Sequence, residues 1–153
     1  MIVRDMRRIA SMATVMLIAW MALGHPAAAR ADGVSADATL ILASDTGNGS
    51  DPQLGGFESR LRRLFRFKNY QLRGSGSANL SVPGKGTIGL PDNCRIALAV
   101  SDAGGGRLRV EVKWIRGGEM VVNTTVVNQR GDPIILGGPP FSGGTLIVSI
   151  TLR

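Results

Sequence analysis

Six cations, Arg60, Arg62, Arg63, Arg66, Lys68 and Arg73, fall within fourteen consecutive positions, and the nearest carboxylate is Glu58. Side chains of this type at this density draw phosphates, anionic lipid or acidic polymer, because their summed potential concentrates anions at the surface. A solvated helix face, with late arginines suiting the helix C-terminal dipole, accounts for the same run without any ligand. A second group, Asp45-x-Gly47-x-Gly49-x-Asp51, alternates oxygens as a calcium loop does. Two carboxylates without a closing bidentate Glu make a poor ligand set, so these residues read instead as a turn leading into a helix cap. Cys94 is the only cysteine, which excludes an intrachain disulfide and any Cys-x-x-Cys site. The alternating run Arg95-Ile96-Ala97-Leu98-Ala99-Val100 behind it makes it a small core residue opening a strand.

The single histidine, His25, lies in a stretch that reads as an address rather than as structure. Arg4, Arg7 and Arg8 form a basic start, Ile9 to Leu23 is an apolar run broken only by Ser11 and Thr14, and Ala27-Ala28-Ala29-Arg30-Ala31 offers two A-x-A exits. The apolar run is about fifteen residues, short of the roughly 20 that a spanning helix needs. Residues 1–31 are therefore expected to be a cleavable signal peptide, and residues 32–153 a single mainly-β domain. That domain has 122 residues, with 14 Lys+Arg against 10 Asp+Glu, and retains 20 of the 21 glycines. It has no histidine, so a Ser-His-Asp triad, a Cys-His pair and the usual catalytic zinc site are excluded. No phosphate-loop string occurs: Gly74-Ser75-Gly76-Ser77 lacks both the lysine and a strand-to-helix setting. No cofactor and no metal is expected.

These groups must be positioned by elements that the hydrophobic period reveals. Residues 32–37 read as a flexible lead-in and Ala38–Ala43 as a short apolar strand. Asp51 or Ser50 supplies a cap and Pro52 a first helical position. Leu54, Phe57, Leu61, Leu64 and Phe65 then recur at steps of three and four, predicting one amphipathic helix over about 52–66. Gly55-Gly56 weakens it by about 1 kcal/mol per glycine, so it depends on docking against a sheet. On such a helix Arg60, Arg63, Arg66 and Lys68 lie away from the Leu61/Leu64/Phe65 stripe. Beyond it the period shortens to two. Residues 69–73 and 79–82 read as strands around a Gly/Ser loop, and 86–90 as another. Residues 94–100 turn Ile96, Leu98 and Val100 to one side. Residues 107–114 alternate most cleanly, with Leu108, Val110, Val112 and Trp114 on one face and Arg107, Arg109, Glu111 and Lys113 on the other. Strands follow over 119–127 and 133–136, then a Gly/Pro loop over 137–144, then a strand over 145–152. The expected fold is α+β and mainly β, an antiparallel sandwich or half-barrel of about seven to eight strands with one helix.

Two resemblances extend this reading. Asp45-Thr46-Gly47 after an apolar strand resembles the catalytic triplet of aspartic proteases, and Ile134-Ile135-Leu136-Gly137 resembles the stretch that supports it in the retropepsin type. That resemblance implies a dimer in which two Asp45 carboxylates, one ionised and one protonated, activate a water. Here the triplet continues through Asn48-Gly49-Ser50-Asp51-Pro52 into a helix, where the family continues with a strand. Asn123-Thr124-Thr125-Val126-Val127, Gly131-Asp132-Pro133-Ile134-Ile135-Leu136-Gly137-Gly138-Pro139 and Thr145-Leu146-Ile147-Val148-Ser149-Ile150, within about residues 121–150, together resemble the strand ending of bacterial secretins. This resemblance implies a strand pair and turn of that kind in an envelope setting and carries over no functional residue.

The leading expectation is an exported domain, periplasmic or secreted, that acts without catalysis by protein–protein or surface contact in the cell envelope. Its partner would be an envelope protein or an anionic envelope surface, with edge strands such as 145–152 available for pairing. The alternatives are the dimeric aspartic protease using Asp45, and binding of anionic lipid or polymer through Arg60, Arg63, Arg66 and Lys68. The export signal and the scarcity of aromatics exclude nucleic acid as the expected partner, and no transmembrane span is expected once the signal is removed.

Overall fold

The computed structural model describes residues 32–153, and the expected signal peptide, 1–31, lies outside the described residues. Chain order is β1 (Asp32–Ser44), a 3₁₀ turn (Pro52–Leu54), α1 (Phe57–Leu64), β2 (Asn69–Val82), β3 (Gly84–Leu90), β4 (Cys94–Gly104), β5 (Arg107–Arg116), β6 (Glu119–Gln129), β7 (Pro133–Phe141) and β8 (Gly144–Leu152). The strands form two four-stranded antiparallel sheets, ordered β2-β1-β8-β7 and β3-β4-β5-β6. The fold is mainly β with one helix, as the alternation implies.

The two sheets share one core. Val34, Ala36, Ala38, Leu40 and Leu42 of β1 and Leu146, Val148, Ile150 and Leu152 of β8 meet Ile96, Leu98 and Val100 of β4 and Leu108, Val110, Val112 and Trp114 of β5. The residues that alternate in the sequence are the ones buried here, because a strand with one wet face must send every second side chain inward. The middle of the β2-β1-β8-β7 sheet is also apolar on its outer face. Ile41, Ala43, Tyr70 and Ile147 are buried there beneath Leu54 and Leu61, with Phe57 and Phe65 packed at the margin. Each such side chain removed from water contributes about 1.5–3 kcal/mol, which is what holds so short a helix in place.

Several expected boundaries move, for physical reasons. Residues 32–37 are not a lead-in but the start of β1, paired from Asp32 opposite Val82; small Ala36 and Ala38 carry an inward alternation that larger side chains would have made plainer. The helix expected over 52–66 is broken. Asp51 Oδ1 accepts from Gln53 N–H (2.9 Å) to cap a 3₁₀ turn, Gly55 reverses the backbone to φ 47°, and the α-helix itself runs only from Phe57 to Leu64. Its axis is rolled so that Phe57, Leu61 and Phe65, at steps of four, meet the sheet. Leu64 is left on the flank, 58% exposed rather than in the stripe. The Gly/Ser segment 74–77 is not a loop but the middle of β2. A Cβ on Gly76 would lie 2.6 Å from the Gly89 carbonyl oxygen and 2.8 Å from Ile88 Cγ2, so the missing side chain admits β3 against β2 rather than making a turn. Residues 137–141 likewise continue β7, with the Trp114 indole lying against Gly138. Finally, β8 is not an edge, since β1 and β7 pair on either side of it.

Gly76→Ala should lower unfolding free energy by about 1–3 kcal/mol through overpacking, because a backbone carbonyl cannot step aside. Gly89→Ala, which meets nothing within 4 Å, should stay within about 0.5 kcal/mol of the parent. Urea unfolding of both variants checks the pair.

Candidate functional site

The basic run divides into cations that hold the fold and cations that face outward. Arg62 is structural. Its Nε donates to Glu58 Oε1 (2.7 Å), its Nη2 donates to Lys68 O (2.7 Å) and Ser50 Oγ (3.3 Å), its Nη1 donates to Phe67 O (3.3 Å), and its guanidinium lies 5.6 Å above the Tyr70 ring. It ties the C-terminal half of α1 to the connection that enters β2, satisfying the Phe67 and Lys68 carbonyls of that connection. The Glu58 carboxyl is held below its ordinary pKa by hydrogen bonding to Ser50 and then to Arg62. Tyr70 completes the clamp from beneath. Its hydroxyl donates to Phe65 O (2.7 Å) and lies 3.4 Å from Leu61 O, and burial raises its pKa.

Arg73 is also committed. Its Nε and Nη2 donate to Asp92 Oδ2 and Oδ1, both at 2.9 Å, in a two-pronged pair across the β3–β4 turn. Hydrogen bonding to Arg73 holds the Asp92 carboxyl below its ordinary range, and the charges of Arg73 and Arg116 add to this. Arg116 lies 4.6 Å from the Phe141 ring and Arg73 5.8 Å from it, so one aromatic ring collects both guanidiniums. Sequence reading missed this cluster, because Asp92 stands nineteen positions from Arg73 and no local period joins Phe141 to either arginine.

The remaining four, Arg60, Arg63, Arg66 and Lys68, are exposed, and none forms a salt bridge among the described residues. They are the four singled out from the sequence. Arg60, Arg63 and the exposed Leu64 form one wall of a shallow groove of about 380 Å³; Asn128, Asp132, Pro133 and Ile135 form the other. Asn128 Nδ2 donates to Asp132 O (2.9 Å) and sets the shape of the β6–β7 turn. The groove therefore combines two unpaired cations with an apolar floor and a single carboxylate at its rim.

Asp45 lies in the exposed turn after β1, and its Oδ1 accepts from Lys68 N–H (3.2 Å), tying the end of β1 to the approach to β2. The Asp45 and Asp51 carboxylates each accept a backbone N–H, the work of turn and cap residues. Among the described residues no three His, Cys, Asp or Glu side chains gather as a metal set. Cys94 is buried at the head of β4, with its Sγ 3.8 Å from Asp92 O. No helix among the described residues is long and apolar enough to cross a membrane. No protein-family model, curated protein or solved structure matches the chain.

Tyr70→Phe should cost about 1–2 kcal/mol, since it removes the hydroxyl that donates to the Phe65 carbonyl while leaving the ring in place. Hydrogen exchange should quicken first in α1, before the sheets. The Arg73–Asp92 pair sets a pH dependence. The folded pKa of Asp92 is depressed, so its contribution is complete above the unfolded value of about 3.9 and is lost as pH falls through the folded value. Arg73→Gln should move the Asp92 carboxyl back toward its ordinary range in an NMR titration and remove this part of the loss of stability in acid.

Proposed function

We propose that the protein is an exported envelope domain that works by surface contact, docking on an anionic lipid surface through the outward cations of α1. One observation carries this reading: an exposed leucine, Leu64, sits beside Arg60 and Arg63, with Arg66 and Lys68 following, and none of the four cations is neutralised by a neighbour. A cationic face around an exposed apolar side chain is the pattern by which a surface element lies on headgroups and inserts a hydrophobic anchor at the acyl boundary. The export address expected over 1–31 supports an envelope setting, either periplasmic or secreted. The division of labour supports the same reading. The fold uses Arg62 and Arg73 for itself and leaves the other four without structural duty.

Each cation near an anionic bilayer is worth about 1 kcal/mol. Changing Arg60, Arg63 and Arg66 together to Gln should therefore weaken binding to phosphatidylglycerol-containing vesicles roughly a hundredfold at low salt and flatten its salt dependence. Leu64→Ser should weaken binding by a smaller factor that salt does not change. Flotation at several ionic strengths measures both. Failure of the wild type to bind anionic vesicles at low salt, or equal retention of the triple variant, overturns the reading.

A further inference from the structure

We propose that the free edge of β6 is a pairing site for β6 of a second copy of this chain, joining two β3-β4-β5-β6 sheets into one continuous eight-stranded sheet. An edge strand offers a row of unpaired N–H and C=O groups, and proteins that remain single blunt such edges with proline, charge, a bulge, very short strands or a covering element. Three of the four edges here are blunted. β2 and β3 lie against each other at the glycine corner, where Gly76 meets Gly89. β7 carries Pro133, Pro139 and Pro140. β6 carries one such device, a bulge at Val121 near its start, and beyond it the edge is bare: from Val122 to Gln129 its sequence is Val-Asn-Thr-Thr-Val-Val-Asn-Gln, with no charge, no proline and no glycine.

A second, independent observation falls on the same strand. Of the three large apolar side chains that stand exposed among the described residues, two are Met120 (55%) and Val127 (50%). Both lie on the outer face of the sheet, opposite Ile115 and Arg109 respectively.

Backbone direction and charge point to a second copy as the occupant. Arg130 N–H donates to Gly106 O and Gly117 N–H to Asn93 O. With the N–H direction alternating along a strand, the even-numbered groups of β6 beyond the bulge at Val121 face β5, and those of Asn123, Thr125, Val127 and Gln129 face outward. An antiparallel pairing centred on Thr125 sets Thr125 against its equivalent and Asn123 against Val127 of the second copy. Every paired side chain keeps its own face of the sheet. About six main-chain hydrogen bonds form. The uncharged stretch is bounded by Glu119 at one end and Arg130 at the other, so the same pairing brings Glu119 of one copy toward Arg130 of the other at both ends, where Arg130 already lies 3.7 Å from Asp32 Oδ2 of its own chain. A parallel arrangement would set like against like. The strand is thus complementary to itself under a two-fold rotation, as an isologous interface requires.

The test is sedimentation velocity of the purified protein over micromolar to sub-millimolar concentrations, alongside Thr125→Lys and Thr125→Glu. Thr125 is exposed on the outer face opposite Glu111, so Thr125→Lys should leave the thermal melt of the dilute protein nearly unmoved, while Thr125→Glu, set against that carboxylate, should lower it slightly. Each should raise the dimer dissociation constant by at least about tenfold, because like charges then stand directly opposite. An equimolar mixture of the two variants should recover the dimer. Hydrogen exchange of the wild type gives a reading that needs no variant: the amides of Asn123, Thr125 and Val127 should gain protection as concentration rises. A wild type that stays monomeric throughout, a dimer indifferent to both substitutions, or amides of Asn123, Thr125 and Val127 equally unprotected at all concentrations overturns the proposal.

Discussion

The centre of this structure is a pair of strands buried on both faces. Leu40, Ile41, Leu42 and Ala43 of β1 and Leu146, Ile147 and Val148 of β8 are consecutive buried residues rather than alternating ones. Their even-numbered members are covered by the second sheet and their odd-numbered members have to be covered by something else. The apolar outer patch around Ile41 and Ile147 would be costly to leave wet, and α1 is the element that covers it. Because the second sheet has no such patch, its outer face needs no cover, and one helix suffices for the whole domain.

Covering that patch determines the chemistry of the opposite face. Eight residues give little intrinsic helicity, so α1 exists because Leu61 and its neighbours are seated, because Tyr70 binds the Leu61 and Phe65 carbonyls at its end, and because Arg62 fastens it to the segment that follows. Once Phe57, Leu61 and Phe65 face inward, Arg60, Arg63 and Leu64 face outward together. The outward cations and the exposed leucine are thus the obligatory reverse side of a packing solution. Any ligand they meet would be held by an element whose position is set by burial and not by the ligand.

The two clamps are built from different physics. Arg62 and Tyr70 act on backbone carbonyls at a helix end, where a lost donor leaves an acceptor poorly satisfied. Arg73 and Asp92 form a charge pair between β2 and the β3–β4 turn, in which Asp92 is only 15% exposed in its side chain while Arg73 is 37% exposed. The second is open to pH through its carboxylate. The first meets acid through Glu58, whose carboxyl is held below its ordinary pKa by hydrogen bonding to Ser50 and Arg62, and meets base only when the tyrosine ionises, which burial delays.

The alternating strands were legible in the sequence because a side-chain period of two is a local property. Residues 94–100, 107–114 and 145–152 could be placed on their faces without any knowledge of partners. So could Arg60 and Arg63, whose separation from Leu61 follows from helical geometry, whereas Arg66 and Lys68, expected on the same helix, lie beyond its end and are exposed on the connection to β2. Glycine was where local reading failed. Gly74-Ser75-Gly76-Ser77 and Gly137-Gly138 carry the composition of loops, yet in the fold they are strand positions where another chain segment or an indole comes too close for a Cβ. The same residue type permits a turn or permits contact, and only the neighbour's position tells the two apart. Which strands lie at the edges, which cations are taken up by distant carboxylates and carbonyls, and how far α1 rolls were likewise decided by tertiary structure, because each depends on a partner far along the chain. The sequence by itself determined a one-helix β domain with a basic ridge, through periodicity and charge that need no neighbour. The three-dimensional packing decided which of those cations remained free to meet anything else.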